Sequence, residues 1–303
     1  MPRRFYTLDV FAGELLAGNP LAVVLDARGL DDKRMQAIAR EFSLSETVFV
    51  GEPAKGGRRA SLRIFTPGRE LPFAGHPTVG TAVLIAVLDR GGKPGQARFD
   101  LEEGVGPVPC AVEVLGAEHG RATFTVPRLP GRVGDLPDRA ALARGLGLEE
   151  KDIGFGTHRP GVYSAGLPFG YVPLRSRDAV TRARPAGEAF ARAFGGVAAG
   201  APNAYVYCAE PLDRAHAYHA RMFAPSFGIP EDPATGSAAA AFAGLVMEFD
   251  KPGDGDHNLV IEQGDAMGRP SRITLSISVA KGRLSEARIG GEAVIMCEGR
   301  LRA

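Results

Sequence analysis

The chain has 303 residues, 45% of them hydrophobic and 23% charged, a soluble globular composition with room for one large domain or two ordinary ones. Its 36 basic and 35 acidic side chains leave a formal net charge of +1, which excludes the basic bias of a nucleic-acid or anionic-membrane binder. The three cysteines, Cys110, Cys208 and Cys297, form no CxxC or CxxH pair, so the sequence offers neither a disulfide framework nor a zinc motif.

Sparse, odd cysteines fit a reducing cytoplasm. Met1 to Leu25 lacks the order of a signal peptide. The longest apolar candidate, Thr78 to Leu88, is too short to cross a bilayer. The expectation is a soluble, cytoplasmic protein with no nucleic-acid or membrane partner.

Phe5 to Phe11 reads as a strand, Gly18-Asn19-Pro20 as a turn and Leu21 to Leu25 as a second strand. Met35, Ile38, Ala39 and Phe42 carry helical spacing through Asp31 to Phe42. Strands follow at Thr47 to Val50 and Ser61 to Phe65. Pro77 then opens an apolar helix to about Leu88, before a strand pair at Ala97 to Leu101 and Val108 to Leu115. A weak boundary lies near Gly116 to Gly120. Beyond it come a strand at Arg121 to Val126, helices at Asp138 to Leu146 and Pro185 to Phe194, and strands at Ala204 to Cys208 and Ala217 to Phe223. Pro233 opens an alanine-rich helix ending near Met247. The chain closes with strands at Leu259 to Gln263, Arg272 to Val279 and Ala293 to Cys297.

An internal repeat is visible. Gly75-His76-Pro77-Thr78-Val79-Gly80-Thr81-Ala82 overlays Glu231-Asp232-Pro233-Ala234-Thr235-Gly236-Ser237-Ala238 at an offset of 156 residues. Upstream, Arg63-Ile64-Phe65-Thr66-Pro67 overlays Arg221-Met222-Phe223-Ala224-Pro225 at 158, which makes the first copy's loop two residues longer. A repeat this long is no solenoid and points to a duplicated domain with pseudo-twofold symmetry. In each copy Pro stands at the first helical position, where its missing N–H is no loss. Helix starts present N–H groups and a positive dipole end to anions. Two of them meeting at one cleft would suit a small anionic molecule. Asp232 and His76 read equally well as helix caps and as site residues.

Gly228-Ile229-Pro230-Glu231-Asp232-Pro233-Ala234-Thr235-Gly236-Ser237-Ala238 closely resembles the signature segment of the PhzF-like family of phenazine-biosynthesis proteins. So do Glu70-Leu71-Pro72-Phe73-Ala74-Gly75-His76-Pro77-Thr78-Val79-Gly80 and Ser45-Glu46-Thr47-Val48-Phe49. Asp9-Val10-Phe11, Gly18 to Val24, and Ile289-Gly290-Gly291 with Gly299 extend the likeness over nearly the whole chain. The resemblance implies an α+β, diaminopimelate-epimerase-like fold. Two pseudo-symmetric halves, 1–117 with 282–303 and 118–281, each wrap a curved, mainly antiparallel sheet around a central helix. It implies a homodimer that uses no cofactor and no metal.

Carried over by residue, the resemblance makes Glu46 the acid/base carboxylate, with His76 and Asp232 as further catalytic residues. Gly75, Gly236, Thr235, Ser237 and Asn19 bind the substrate. Epimerases of this fold use a cysteine pair at the helix starts, which this chain lacks, so two-thiol racemisation is not expected.

A buried carboxylate whose pKa is tuned toward the working pH can take a proton from one carbon and return it at another. Glu46, ahead of a hydrophobic strand, is the best candidate, although on exposure statistics alone it reads as a surface glutamate. A hydrolytic triad of His76, Asp232 and Ser237 fails, because Ser237 sits in a helix's first turn without a Gly-x-Ser-x-Gly elbow. His119, His158, His216, His219 and His257 show no metal spacing. His216 and His219, three apart on a strand, should face opposite ways. The expected activity is a proton-transfer isomerase acting on a small carboxylate-bearing metabolite. The family's namesake reaction isomerises a dihydro-hydroxyanthranilate. The alternatives are an epimerase or racemase with Glu46 and Asp232 as its two bases, and a non-catalytic metabolite-binding protein.

Overall fold

The computed structural model describes residues 2–54, 56–198, 201–225 and 229–303. It divides into two compact units, Met1–Pro127 with Ile289–Ala303, and Arg128–Arg288. In chain order the first unit holds β1 (Arg3–Val10), β2 (Asn19–Val24), α1 (Asp32–Phe42), β3 (Glu46–Gly51), β4 (Ala60–Phe65), β5 (Glu70–Leu71), α2 (Gly75–Arg90), β6 (Gly95–Glu103), β7 (Gly106–Val114) and β8 (His119–Thr125). The second holds β9 (Gly131–Gly134), α3 (Arg139–Leu146), β10 (Gly161–Ser164), β11 (Pro168–Pro173), α4 (Arg177–Arg182), α5 (Gly187–Phe194), β12 (Ala204–Cys208), β13 (Tyr218–Ala224), β14 (Ile229–Asp232), α6 (Gly236–Leu245), β15 (Gly255–Gln263) and β16 (Ser271–Ala280). β17 (Arg283–Leu301) returns the chain to the first unit.

In the first unit β1 pairs with β2, β2 with β3, β3 with β4, β4 with β6, β6 with β7, β7 with β8, β8 with β17, and β17 with β1. The strands thus close on themselves. The β2–β3 and β4–β6 pairs are parallel, and β1–β17, β1–β2, β3–β4, β6–β7 and β7–β8 are antiparallel. α2 runs inside the ring against β1, β2, β3, β6, β7 and β8. Every residue from Gly75 to Val87 is buried, as a helix that is apolar all round requires. α1 covers the outside, burying Met35, Ile38 and Ala39 against Val24, Phe49 and Phe65.

The second unit repeats the scheme. β10–β11 are antiparallel, β11–β12 parallel, β12–β13 antiparallel, β13–β15 parallel and β15–β16 antiparallel. α6 is its central helix and packs on β9, β10, β11 and β16. Its alanines leave room for large rings. Phe242 lies with its centroid 4.8–6.1 Å from those of Tyr171, Tyr205, Tyr207 and Tyr218. α3, α4 and α5 cover the outer face through Leu142, Leu146, Val180, Phe190 and Phe194.

The expected α+β architecture, strands around a central helix in each half, is therefore present. Three expectations are corrected. Pro77 and Pro233 do not open their helices. α2 begins at Gly75 with Pro77 third, and α6 begins at Gly236, after Pro233 has ended the β14 segment. The register of the repeat also differs. Arg63 grips Glu70 in unit 1 and Arg221 grips Glu231 in unit 2, each by two guanidinium–carboxylate bonds of 2.6–2.8 Å. The helix starts, Gly75 and Gly236, correspond at an offset of 161, not 156. The loop after the Arg-bearing strand is thus longer in the second copy, not the first. Gly116 to Gly120 lies in the turn from β7 to β8, with Leu115 N–H bonded to His119 O at 2.9 Å, inside unit 1. Gly228, in the recognisable segment, lies outside the described residues.

Candidate active site

In the first unit the parallel β2–β3 pair sets Glu46 opposite Leu21 at the start of β3. Asn19, fully buried, opens β2. Glu46 is 13% exposed, and its Oε2 lies 3.3 Å from Nε2 of His76, which is 4% exposed. Burial pushes the His76 imidazole down to about 3, so it is neutral near pH 7. Gly75 and His76 are the first two residues of α2. Ala74 before them provides no side-chain cap, and Pro77 has no N–H. The opening N–H groups of α2 therefore suit an outside acceptor. Thr47 and Thr81 carry buried hydroxyls with no hydrogen-bond partner among the described residues.

Beneath this turn, Thr78 Oγ1 lies 2.7 Å from both Ala74 O and Glu103 Oε1. Burial, against the pull of the Thr78 hydrogen bond, lifts the Glu103 carboxyl to about 8. Gly80 brings the helix against the barrel wall, since a Cβ there would stand 2.6 Å from Val10 Cγ2 and 2.7 Å from Leu21 Cδ2.

In the second unit, Asp232 ends β14 opposite Met222. It is not the helix cap. Thr235 is the N-cap residue, without a side-chain cap bond, and its hydroxyl donates to Asp232 Oδ2 at 2.7 Å. Gly236 and Ser237 open α6, so Ser237 holds the helix position that His76 holds in α2. Tyr205 OH is buried with no hydrogen-bond partner among the described residues. Burial first, and then the Asp232 charge, push this phenol above its ordinary range.

Thus Glu46, His76, Gly75 and Asn19 belong to the first unit, where Glu46 and His76 approach each other. Asp232, Thr235, Gly236 and Ser237 form one connected segment of the second unit. The sequence reading missed Gln263. It is fully buried, donates to Asp232 O at 2.7 Å and Thr235 Oγ1 at 3.1 Å, and accepts from Thr235 N–H at 3.2 Å. A repeated motif could have found it, since Glu102-Glu103-Gly104 recurs as Glu262-Gln263-Gly264.

His216 and His219 do not diverge. His216 precedes β13, so strand alternation does not govern it. Its Nδ1 lies 2.7 Å from Glu262 Oε1, and His219 Nδ1 lies 3.3 Å from Glu262 Oε2. His219, Glu262 and Asp265 bring possible ligand atoms within 4.8 Å of one another. Yet Glu262 already accepts from Leu212 N–H and Asp213 N–H, at 2.6 and 2.9 Å. Burial raises its pKa, but those two N–H groups and the histidines outweigh it and hold the carboxyl low. The donor set fits a hydrogen-bonded lock on the 212–216 loop.

The family model described as phenazine biosynthesis-like protein, PhzC-PhzF, matches residues 8–299. The chain belongs to the PhzC-PhzF family. It is 48% identical over 303 residues to an uncharacterized isomerase of Mesorhizobium japonicum, covering 99% of this chain and 98% of the relative. It is 35% identical over 298 residues to the trans-2,3-dihydro-3-hydroxyanthranilate isomerase of Pseudomonas aeruginosa, covering 98% of each. Among solved structures, a PhzF-family phenazine biosynthesis protein of Bacillus anthracis superposes with a TM-score of 0.86 at 27% identity, covering 100% of both chains. The hydroxyproline epimerase of Agrobacterium vitis shares the fold alone, with a TM-score of 0.64 at 12% identity over 99% of this chain and 91% of that one. This PhzC-PhzF member is an isomerase with an epimerase-like α+β fold. Among its described residues, no helix is long and apolar enough to cross a membrane.

Proposed function

We propose that the chain isomerises a small carboxylate-bearing metabolite by moving a proton from one carbon to another, with Glu46 as the acid/base. The observation that carries this reading is the Glu46 carboxylate, 13% exposed and 3.3 Å from an imidazole that burial keeps neutral. A neutral His76 does not hold Glu46 as a fixed ion pair, so Glu46 keeps the freedom to take up and release a proton. Glu46 accepts the proton as the substrate C–H bond breaks, and charge spreads into the conjugated system. Glu46, whose proton exchanges with solvent, then delivers a proton to another carbon, leaving the enzyme unchanged. N–H groups at the start of α2, Gly75 with His76, stabilise the substrate carboxylate and the developing negative charge, and Asn19 orients the substrate's other polar groups. In the second unit, Asp232, Thr235, Gly236 and Ser237 are assigned to substrate binding.

The relative from Pseudomonas aeruginosa supplies the first compound to try, trans-2,3-dihydro-3-hydroxyanthranilate. With it, Glu46→Gln should lower kcat about 10²- to 10⁴-fold, the usual contribution of a positioned acid/base, while substrate binding persists. Wild-type kcat in Glu46→Gln would remove Glu46 from the mechanism.

A further inference from the structure

We propose that Gln263, backed by the Gly264 turn, is a positioning residue that sets the orientation of the Asp232 carboxylate and the first turn of α6. The proposal rests on the site role given above to Asp232. Gln263 is fully buried at the end of β15, and its amide spans the segment that carries Asp232. Its Nε2 donates to Asp232 O at 2.7 Å and lies 3.1 Å from Thr235 Oγ1, and its Oε1 accepts from Thr235 N–H at 3.2 Å. The Thr235 hydroxyl accepts from the amide, so its own hydrogen is directed to Asp232 Oδ2, 2.7 Å away. A donor chain thus runs from amide to hydroxyl to the Asp232 Oδ2 oxygen, while the same amide holds the Asp232 backbone carbonyl.

The neighbouring backbone adds a steric stop. Gly264 has φ +83°, and a Cβ on it would stand 2.6 Å from Pro233 O and 2.3 Å from Arg269 O. The main chain therefore lies directly against the Asp232–Thr235 segment. Only glycine combines this conformation with this approach.

The first unit repeats the device. A Cβ on Gly104 would stand 2.9 Å from Pro72 Cα and 3.0 Å from Pro72 O, and the preceding Glu103 reaches Thr78 in the first turn of α2. A carboxyl or amide followed by glycine thus presses on the proline segment ahead of each buried helix. What differs is the outcome. In unit 1 the residue corresponding to Asp232 is Leu71, at the same offset of 161 as the helix starts. The hydroxyl relay to a carboxylate exists only where there is a carboxylate to aim.

The test uses the full chain with Gln263→Leu, Gln263→Glu and Asp232→Asn, assayed from pH 5 to 9 with trans-2,3-dihydro-3-hydroxyanthranilate, alongside a carboxyl ¹³C NMR titration of Asp232. Gln263→Leu should lower kcat about 10- to 100-fold, the scale of a sub-ångström to ångström misplacement, and should shift the Asp232 titration. A protonated glutamate keeps the acceptor for Thr235 N–H and one of the amide's two donors. Gln263→Glu should therefore retain more activity than Gln263→Leu at low pH and acquire a new alkaline limb as it ionises, which a merely structural role would not produce. If Gln263→Leu fails to fold, the Gln263→Glu profile decides. An Asp232 titration unchanged in the folded Gln263 variants, or a Gln263→Glu profile parallel to wild type, overturns the proposal. Full activity in Asp232→Asn would instead defeat the site role of Asp232, with the Asp232 titration still judging the brace.

Discussion

Acid should destabilise this protein through His76, and by an amount that the burial of its ring sets. The imidazole is 4% exposed, and burial moves its pKa from 6.5 to about 3. In the unfolded chain the same ring takes up a proton near its ordinary pKa. Between those two values the unfolded state binds one more proton than the folded state, so stability is present above the upper value and falls as the pH drops. One pH unit corresponds to about 1.4 kcal/mol, so two units below the unfolded pKa the loss reaches about 3 kcal/mol. The Glu46 carboxylate 3.3 Å away pulls the other way, which brings the expected loss to about 1–3 kcal/mol. His76→Asn removes the titration and serves as the reference. Urea unfolding of both proteins at pH 7.5, 6.5, 5.5 and 4.5 should show the gap between them changing by that amount, against the wild type at low pH. Parallel pH dependences would refute the reasoning. So would an NMR titration in which folded His76 gains its proton at or above its ordinary pKa, because Glu46 would then hold a charged imidazole.

Glu103 has the opposite sign. Its folded pKa of about 8 lies above the ordinary 4.5, so stability is full below the unfolded value and is lost as the pH rises between the two. Glu103→Gln should therefore be more stable than wild type at pH 8 by up to about 4 kcal/mol, with the advantage shrinking toward pH 5. A pH-independent gap in urea unfolding would contradict this. Gly80→Ala should cost about 1–3 kcal/mol by overpacking, because the new methyl stands within 2.7 Å of Val10 and Leu21 side chains. An unchanged melting temperature would show that β1 and β2 yield freely.

Much of the fold was legible because its signals are local. Helical spacing located α1, β-branched runs located most strands, and unbroken apolar stretches marked α2 and α6 as core helices, which the family resemblance made central. β10 and β11 escaped notice because Gly161, Pro168, Gly170 and Pro173 interrupt short strands, and α4 has only six residues. Letter identity reveals the repeat but sets it in the wrong register. Matching Pro77 to Pro233 satisfied letter identity, whereas the Arg–Glu pairs and strand partners place Pro72 opposite Pro233. Likewise Gln263 was invisible as a lone residue. Its meaning comes from a segment 28 residues or more away in sequence, folded onto it.

The corrected register bears on the chemistry, because it shows which functional groups the two copies share and which they do not. Phe65 pairs with Thr47 and Phe223 with Ala204, so the residue that corresponds to Glu46 is Asn203. Asn203 is fully buried and its Oδ1 accepts from Gly170 N–H at 3.2 Å. An amide held by the backbone cannot exchange protons with a substrate. His76 likewise corresponds to Ser237, and Asp232 to Leu71. Matched proton carriers at equivalent places of the two copies would suit a symmetric two-base racemase, and Glu46, His76 and Asp232 have no ionisable group at the equivalent places, Asn203, Ser237 and Leu71. Here the copies share scaffold and helix-start N–H groups while their ionisable groups sit at different places. That asymmetry supports one carboxylate carrying a proton out and back over a single trapping of a charged substrate. It also gives a stereochemical expectation: product formed in deuterated solvent should hold its label at the position reprotonated by Glu46, without inversion at any other centre.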